Sequence, residues 1–384
     1  MSYASRKDDH VRLAVAQQRE SMAGHRPCPF DEVAFVHHAL RGTAERAISL
    51  ATEVGGATWP VPLYINAMTG GSPRTGEVNR GLAIAARETG LAIASGSMSA
   101  YLADGSVAET YRILRRENPD GYVIANVNAN ATPQMAARAV ELLRADALQV
   151  HVNAIQEIVM PEGDRDFSAW PRNIARLTET LDVPVIVKEV GFGISADTVT
   201  QLTDLGVRIV DVSGTGGTNF ALIENARRQR ADFDLLADWG LSTPACLVDA
   251  AEVALRNGVT LLASGGVRTP LDVVRGLALG ASAVGVSGHF LSILEAEGID
   301  ALIAAINTWI TRIRQLMMLL GAETVCALAD TDVMLTGRLA ETCGLRGIDP
   351  AAYARRSRKP LRQEPLRAAS SDVAHPVKVD DHRA

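Results

Sequence analysis

The sequence predicts a (β/α)8 barrel with an N-terminal extension and C-terminal helices. Eight short runs rich in Val, Ile, Leu and Ala alternate with longer amphipathic stretches. The runs are almost continuously apolar, as in parallel strands buried on both faces. Turn chemistry also punctuates the alternation. Thr132-Pro133, Thr243-Pro244 and Thr269-Pro270 each read as an N-cap threonine before an N1 proline, while Gly206, Gly258 and Gly280 close helices ahead of the next strand. Eight even units favour closure over an open doubly wound sheet.

In chain order, residues 1–60 read as an N-terminal arm and extension. The barrel strands follow: β1 VPLYIN (61–66), β2 LAIAS (91–95), β3 YVIAN (122–126), β4 ALQVHV (147–152), β5 PVIVKE (184–189), β6 RIVDVS (208–213), β7 TLLAS (260–264) and β8 SAVGVS (282–287). Residues 293–345 read as helices that complete a 61–345 barrel domain, with MMLLGA (317–322) as core packing. Residues 346–384 read as a flexible tail. Its Arg355, Arg356, Arg358, Lys359 and Arg362 form a basic cluster among Pro and Ser, the pattern of a solvated segment.

Bulk properties narrow the function classes. The chain has 384 residues, 47% hydrophobic and 4% aromatic, with a net charge of −6. Mean hydropathy is +0.07 and the pI about 5.8. That balance speaks against nucleic acid as a partner. Apolar runs are short or broken by glycine, and no apolar stretch follows the charged N-terminus, so neither membrane span nor signal peptide is expected. Four scattered cysteines without a CxxC pair fit idle thiols in a cytoplasmic protein.

Barrel enzymes collect their chemistry at the C-terminal strand ends. Those ends carry Asn66, Ser95-Gly96-Ser97, Asn126, His151, Asn153, Lys188, Ser213 and Ser264-Gly265-Gly266. Lys188 shares parity with Pro184 and Ile186, which does not say which row faces the lumen. Inward, its ammonium needs a carboxylate from another strand or an electron-rich ligand. The loops SGTGGTN (213–219), SGGVRTP (264–270) and GVSGH (285–289) are either plain turns or a phosphate cradle beside Arg268. In QVHVNAIQE (149–157), Gln149, His151 and Asn153 form one row, with Gln156 and Glu157 in a loop above. A lone carboxylate among amides and imidazole suits Mg2+ shared with a phosphate, or else the row only satisfies loop backbone. PEGDRDF (161–167) reads as a charged turn. Arg6, Lys7 and His10, taken alone, read as a frayed terminus.

Together RKDDH (6–10), NAMTGG (66–71), ASGSMSA (94–100), QVHVNAIQE, VIVKEVGFGIS (185–195), SGTGGTNFALIENAR (213–227) and SGGVRTPLDVVRGLALGA (264–281) closely resemble the type 2 isopentenyl-diphosphate isomerases, FMN-dependent enzymes of isoprenoid synthesis. The resemblance implies FMN contacts at Ala67, Met68, Thr69, Ser97, Asn126, Lys188, Ser213, Thr218, Gly265, Gly266, Arg268, Ser287 and Gly288. It implies substrate contacts at Arg6, Lys7, His10, Ser97, Ser99, His151, Asn153 and Gln156, a Mg2+ ligand at Glu157, and catalytic roles for Gln156, Lys188 and His151. NADPH is then the expected reductant of FMN, and a homotetramer or larger assembly the expected state. Ser99 and Thr215 stand where relatives carry basic residues, which shifts the expected phosphate grip onto Arg6, Lys7, Arg268 and Mg2+.

Three rivals are weaker. A redox-active FMN barrel such as a 2-hydroxy-acid oxidase would show His-Gly-x-Arg at the late strand ends, and an IMP dehydrogenase-like enzyme a cysteine in a post-strand loop; neither pattern is present. A non-catalytic phosphate-binding barrel would bind no FMN.

Overall fold

A computed structural model describes residues 3–22 and 27–357. All eight expected strands form: β1 Leu63–Ile65, β2 Ala92–Ala94, β3 Val123–Asn128, β4 Ala147–His151, β5 Val185–Lys188, β6 Ile209–Asp211, β7 Thr260–Ser264 and β8 Ala283–Val286. They pair in parallel in chain order and close where Val284 of β8 meets Leu63 of β1.

Alternation then settles which side chains face inward. Tyr64, Ile124, Ala147, Ile186, Ile209 and Leu262 form one apolar cluster with Val54 and Trp59. The other parity, such as Val123, Leu148, Val187 and Val210, packs with the surrounding helices. The first set fills the lumen. A hairpin, Thr52–Val54 with Ala57–Trp59, plugs its N-terminal end, where the Trp59 ring stands 5.5 Å from Tyr64. Two residues further along each strand, on the same parity, come Asn66, Asn126, Gln149, Lys188, Asp211 and Ser264, all buried. The lumen therefore changes from an apolar plug to a polar layer within one step of the pleat.

Several helix starts follow the expected chemistry. Thr132 and Thr269 accept from the N3 amide of their helices, with proline at the start. Thr243 does not cap. Ser242 takes that role, and the Thr243 hydroxyl donates to the Ser264 and Gly265 carbonyls and accepts from Gly214 N–H. It ties the two glycine loops together, a demand that outweighs capping.

The N-terminal arm is a helix, Tyr3–Met22. Lys7, Val11, Ala14, Val15 and Gln18 lie on one face and are buried. The arm is thus docked rather than frayed. Beyond β8, helices Gly288–Glu297, Ile299–Leu320 and Gly337–Leu345 form as expected, but Val333–Leu335 is a strand paired with Val33–Phe35. Within 317–322 only one helix face is core, with Met317 buried and Leu319 exposed. Residues 346–357 differ from the expected tail. Arg356 stacks on Tyr353 and donates to the Ala278 carbonyl, and Ser357 is bonded to Asp332. Arg358, Lys359, Arg362 and the rest of 358–384 lie outside the described residues. No described helix is long and apolar enough to cross a membrane.

Candidate active site

At the C-terminal end of the barrel a cavity of about 550 Å3 opens over the polar layer. Arg6, Lys7, His10, Ala67, Met68, Ser97, Ser99, Asn126, His151, Asn153, Gln156, Glu157 and Lys188 line it. A second cavity of about 60 Å3 is lined by Ser213, Thr218, Gly265, Gly266, Arg268, Ser287 and Gly288, and both are walled by Ala67, Met68 and Lys188. Of the residues that the resemblance assigns to the site, Thr69 alone lines neither; it is buried with its hydroxyl unbonded. Thr215 also lies outside both, while Ser99 shares a 2.9 Å hydrogen bond with Ser97.

The first wall comes from β4. Gln156 and Glu157 sit on a short helix, Ala154–Val159, not in a loop. Arg165 closes that helix by donating to the Glu157 and Met160 carbonyls, so PEGDRDF is a tethered cap. Asn153 Nδ2 donates to Glu157 Oε1 at 2.9 Å, and Asp164 N–H to Oε2 at 2.9 Å. Asn153 Oδ1 is buried without a donor.

The N-terminal helix supplies the opposite wall. Lys7 is 7% exposed, and none of the described residues accepts a hydrogen bond from its ammonium. Burial, with Arg6 beside it, pushes its pKa down to about 8. His10 Nε2 meets Glu224 Oε1 at 2.9 Å, and Gln156 Nε2 donates to the same oxygen at 2.9 Å. Arg227 pairs with the other Glu224 oxygen. Burial raises the Glu224 pKa, but these partners outweigh it and hold the carboxyl at about 2. Glu224 is thus a fixed anion that orients Gln156. It lies in the SGTGGTNFALIENAR motif, yet on the helix Phe220–Arg227 its position reads as an ordinary solvated one.

In the floor, Lys188 is inward and 6% exposed, donating to the Glu189 carbonyl and to Ser213 Oγ at 2.9 Å. No ion pair with a cross-strand carboxylate forms among the described residues, although Asp211 and Glu189 lie near enough to oppose the lowering of its pKa by burial. Glu189 is pushed up to about 7 by burial, only partly offset by N–H bonds from Val190, Gly191 and Phe192. Asp211, fully buried, accepts from Tyr64, Asn66 and Ser264. Its signal in the sequence was the same as that of Lys188, a charge inside an apolar strand.

The small cavity has the features of an anion cradle. A Cβ on Gly265 would lie 2.1 Å from the Gly214 carbonyl at φ +90°, so the β6 and β7 loops approach only through glycine. Arg268 donates to the Gly216 carbonyl at 3.3 Å. The helix Gly288–Glu297 starts at Ser287 with no side-chain cap, and Ser287, Gly288 and His289 of that start line the cavity. Gln18 Nε2 and His289 Nδ1, from two residues lining it, are buried without partners. Among the described residues, the single cluster of metal-ligand type is Cys28, Asp31 and Asp272, away from Glu157.

Comparison with known proteins shows the family and the fold. A family model described as FMN-dependent dehydrogenase matches residues 114–335. The chain is 57% identical over 357 residues to the isopentenyl-diphosphate delta-isomerase of Kitasatospora griseola, covering 93% of this chain and 96% of the relative. Against that of Staphylococcus haemolyticus it is 45% identical over 344 residues, covering 90% and 97%. Among solved structures, a mutant flavocytochrome b2 with benzoylformate shares the fold, with TM-score 0.60 at 19% identity over 96% of this chain and 87% of that one. With identity this high to the isomerases over nearly the full length, the chain belongs to the isopentenyl-diphosphate delta-isomerase family, built on an FMN-dependent dehydrogenase domain.

Proposed function

We propose that the protein interconverts isopentenyl and dimethylallyl diphosphate, with reduced FMN in the small cavity and adjoining floor and Mg2+ on the diphosphate. The observation that carries this reading is Lys7, a buried ammonium with no acceptor among the described residues, facing the same cavity as Glu157. An unmatched buried cation is costly unless an anion arrives.

The residues fit FMN. The glycine loops, Arg268 and the uncapped helix start suit its phosphate, and the unpartnered Gln18 and His289 atoms add donors or acceptors there. Ala67, Met68 and Lys188 wall both cavities, where the ring would lie, and Asn126 lines the large one beside them. Reduced FMN, when bound, supplies the acid–base group that shifts the double bond without net redox change, and NADPH is its proposed reductant. Lys188 offers positive charge to that ring. The residues also fit Mg2+: Glu157 lines the large cavity, with its carboxylate oriented by Asn153 and Asp164 N–H, and would offer the ion one ligand while the diphosphate and water supply the others.

The protein's own contribution is placement and charge. Arg6 and Lys7 neutralise the diphosphate. Gln156, held between Glu224 and Asn153, would face the alkene end. Burial of the cavity floor keeps water from competing for the transferred proton. In an anaerobic assay with FMN, NADPH and Mg2+, isopentenyl diphosphate should become dimethylallyl diphosphate; absence of conversion with flavin bound and reduced would refute the proposal. A homo-oligomeric, cytoplasmic enzyme is proposed with it.

A further inference from the structure

A chain of buried amides crosses the lumen beneath the large cavity, and its hydrogen-bond sense is fixed at one end. Asp211 receives Tyr64 and Ser264 hydroxyls and the Ser213 N–H, so it acts as an acceptor. Asn66 Nδ2 donates to Asp211 Oδ2 at 2.8 Å, while Asn66 Oδ1 accepts from the Ala67 backbone N–H at 2.8 Å. A carboxylate and a backbone amide cannot exchange roles, so the Asn66 amide has one orientation. Gln149 Nε2 donates to Asn66 Oδ1 at 3.3 Å, and Gln149 Oε1 accepts from Asn126 Nδ2 at 2.7 Å. Asn126 Oδ1 is then the acceptor left for His151 Nδ1, 2.8 Å away.

We propose that Gln149 is a positioning residue that carries this polarity to His151, holding the ring as the Nδ1–H tautomer with Nε2 as the acceptor nitrogen. Gln149 is fully buried and lines neither cavity, so it acts only through its neighbours. Burial, together with the charges of Lys7 and Lys188, lowers the His151 pKa to about 3, against a hydrogen bond with the Val127 backbone that favours the charged ring. The ring is therefore neutral at physiological pH and has a single proton to place. An ionised phosphate oxygen set against Nε2 would oppose lone pair to lone pair. His151 instead receives a donor, a P–OH or a water carried with the diphosphate. That consequence rests on the diphosphate reading; the tautomer does not.

The test uses the flavin-loaded enzyme labelled with 15N-histidine, without substrate. Long-range 1H–15N correlation separates protonated from unprotonated ring nitrogens, and His151→Gln identifies the His151 signals. The expected wild-type spectrum shows a protonated Nδ1 and an unprotonated Nε2. Gln149→Met keeps the shape but removes both hydrogen bonds, and should give a mixture of tautomers. Gln149→Glu, protonated in this buried site, still donates to Asn66 and accepts from Asn126, and should restore the single Nδ1–H form. A wild-type ring protonated at Nε2 overturns the proposal. So does an unchanged tautomer in Gln149→Met, or equal mixing in both variants. Because turnover is not the readout, a failed isomerase assay leaves this result standing on its own.

Discussion

Replacing Lys7 by methionine should weaken substrate binding and stabilise the substrate-free fold at once. The folded pKa of Lys7 is about 8 against an ordinary value of 10.5. Each unit is worth about 1.4 kcal/mol, so holding the charged ammonium in this site costs about 3 kcal/mol. The folded value lies below the unfolded one. The cost is fully present below pH 8 and disappears as pH rises towards 10.5, where the unfolded chain also loses its proton. Wild-type stability therefore gains a contribution between pH 8 and 10.5 that Lys7→Met lacks. At about pH 7 the variant should resist denaturant better, by up to about 3 kcal/mol.

On the proposed function, the same charge is what the diphosphate would meet. A hydrogen bond to a charged group contributes about 1.5–3 kcal/mol, so KM for isopentenyl diphosphate should rise by about 10- to 150-fold. In the wild type, kcat/KM should fall as pH climbs through about 8 and the free enzyme loses the Lys7 proton. Lys7→Met should lack that limb. Denaturant titration and steady-state kinetics across pH 6.5–9.5 (a range of about 3 units around the folded pKa) check both halves. A variant that is less stable, with KM unchanged, would show Lys7 to be a structural residue and refute the reasoning.

Glu157→Gln should lose most Mg2+-dependent activity while retaining flavin, read as the absorbance of the purified protein, because Glu157 lines the large cavity and not the small one. Gly265→Ala should purify with little flavin: its Cβ would collide with the Gly214 carbonyl at a φ of +90°, and cofactor content with flavin titration measures the loss. Glu224→Ala frees both Gln156 and His10, and kcat should fall by roughly 100-fold, the scale of a misplaced reacting group, with flavin content unchanged.

The barrel was legible because eight buried strands leave eight apolar runs, and the strand ends were legible because polarity in such runs has few causes. What parity could not decide was which row faced the lumen, since Ile186 and Val187 are equally apolar. The next residue on the Ile186 row answers it: Lys188 cannot pack among apolar helices, whereas a lumen that ends in Asp211, Ser213 and Asn66 can receive it. The same argument applied to β6 would have found Asp211. The arm escaped local reading for a different reason. Its helix has only Val11, Ala14 and Val15 as an apolar stripe, too little to stand alone, and it is held by docking on the barrel mouth. Lys7 and His10 become site residues through groups contributed by distant strands and by Glu224, 214 positions from His10. Glu224 itself is hidden for that reason as well: a carboxylate on an eight-residue helix is ordinary until an imidazole and an amide from two other segments converge on it. Charges whose surroundings are assembled from far along the chain look solvated in sequence. This site concentrates them, because binding a diphosphate calls for at least one cation, here Lys7, that the folded chain leaves for the ligand to neutralise.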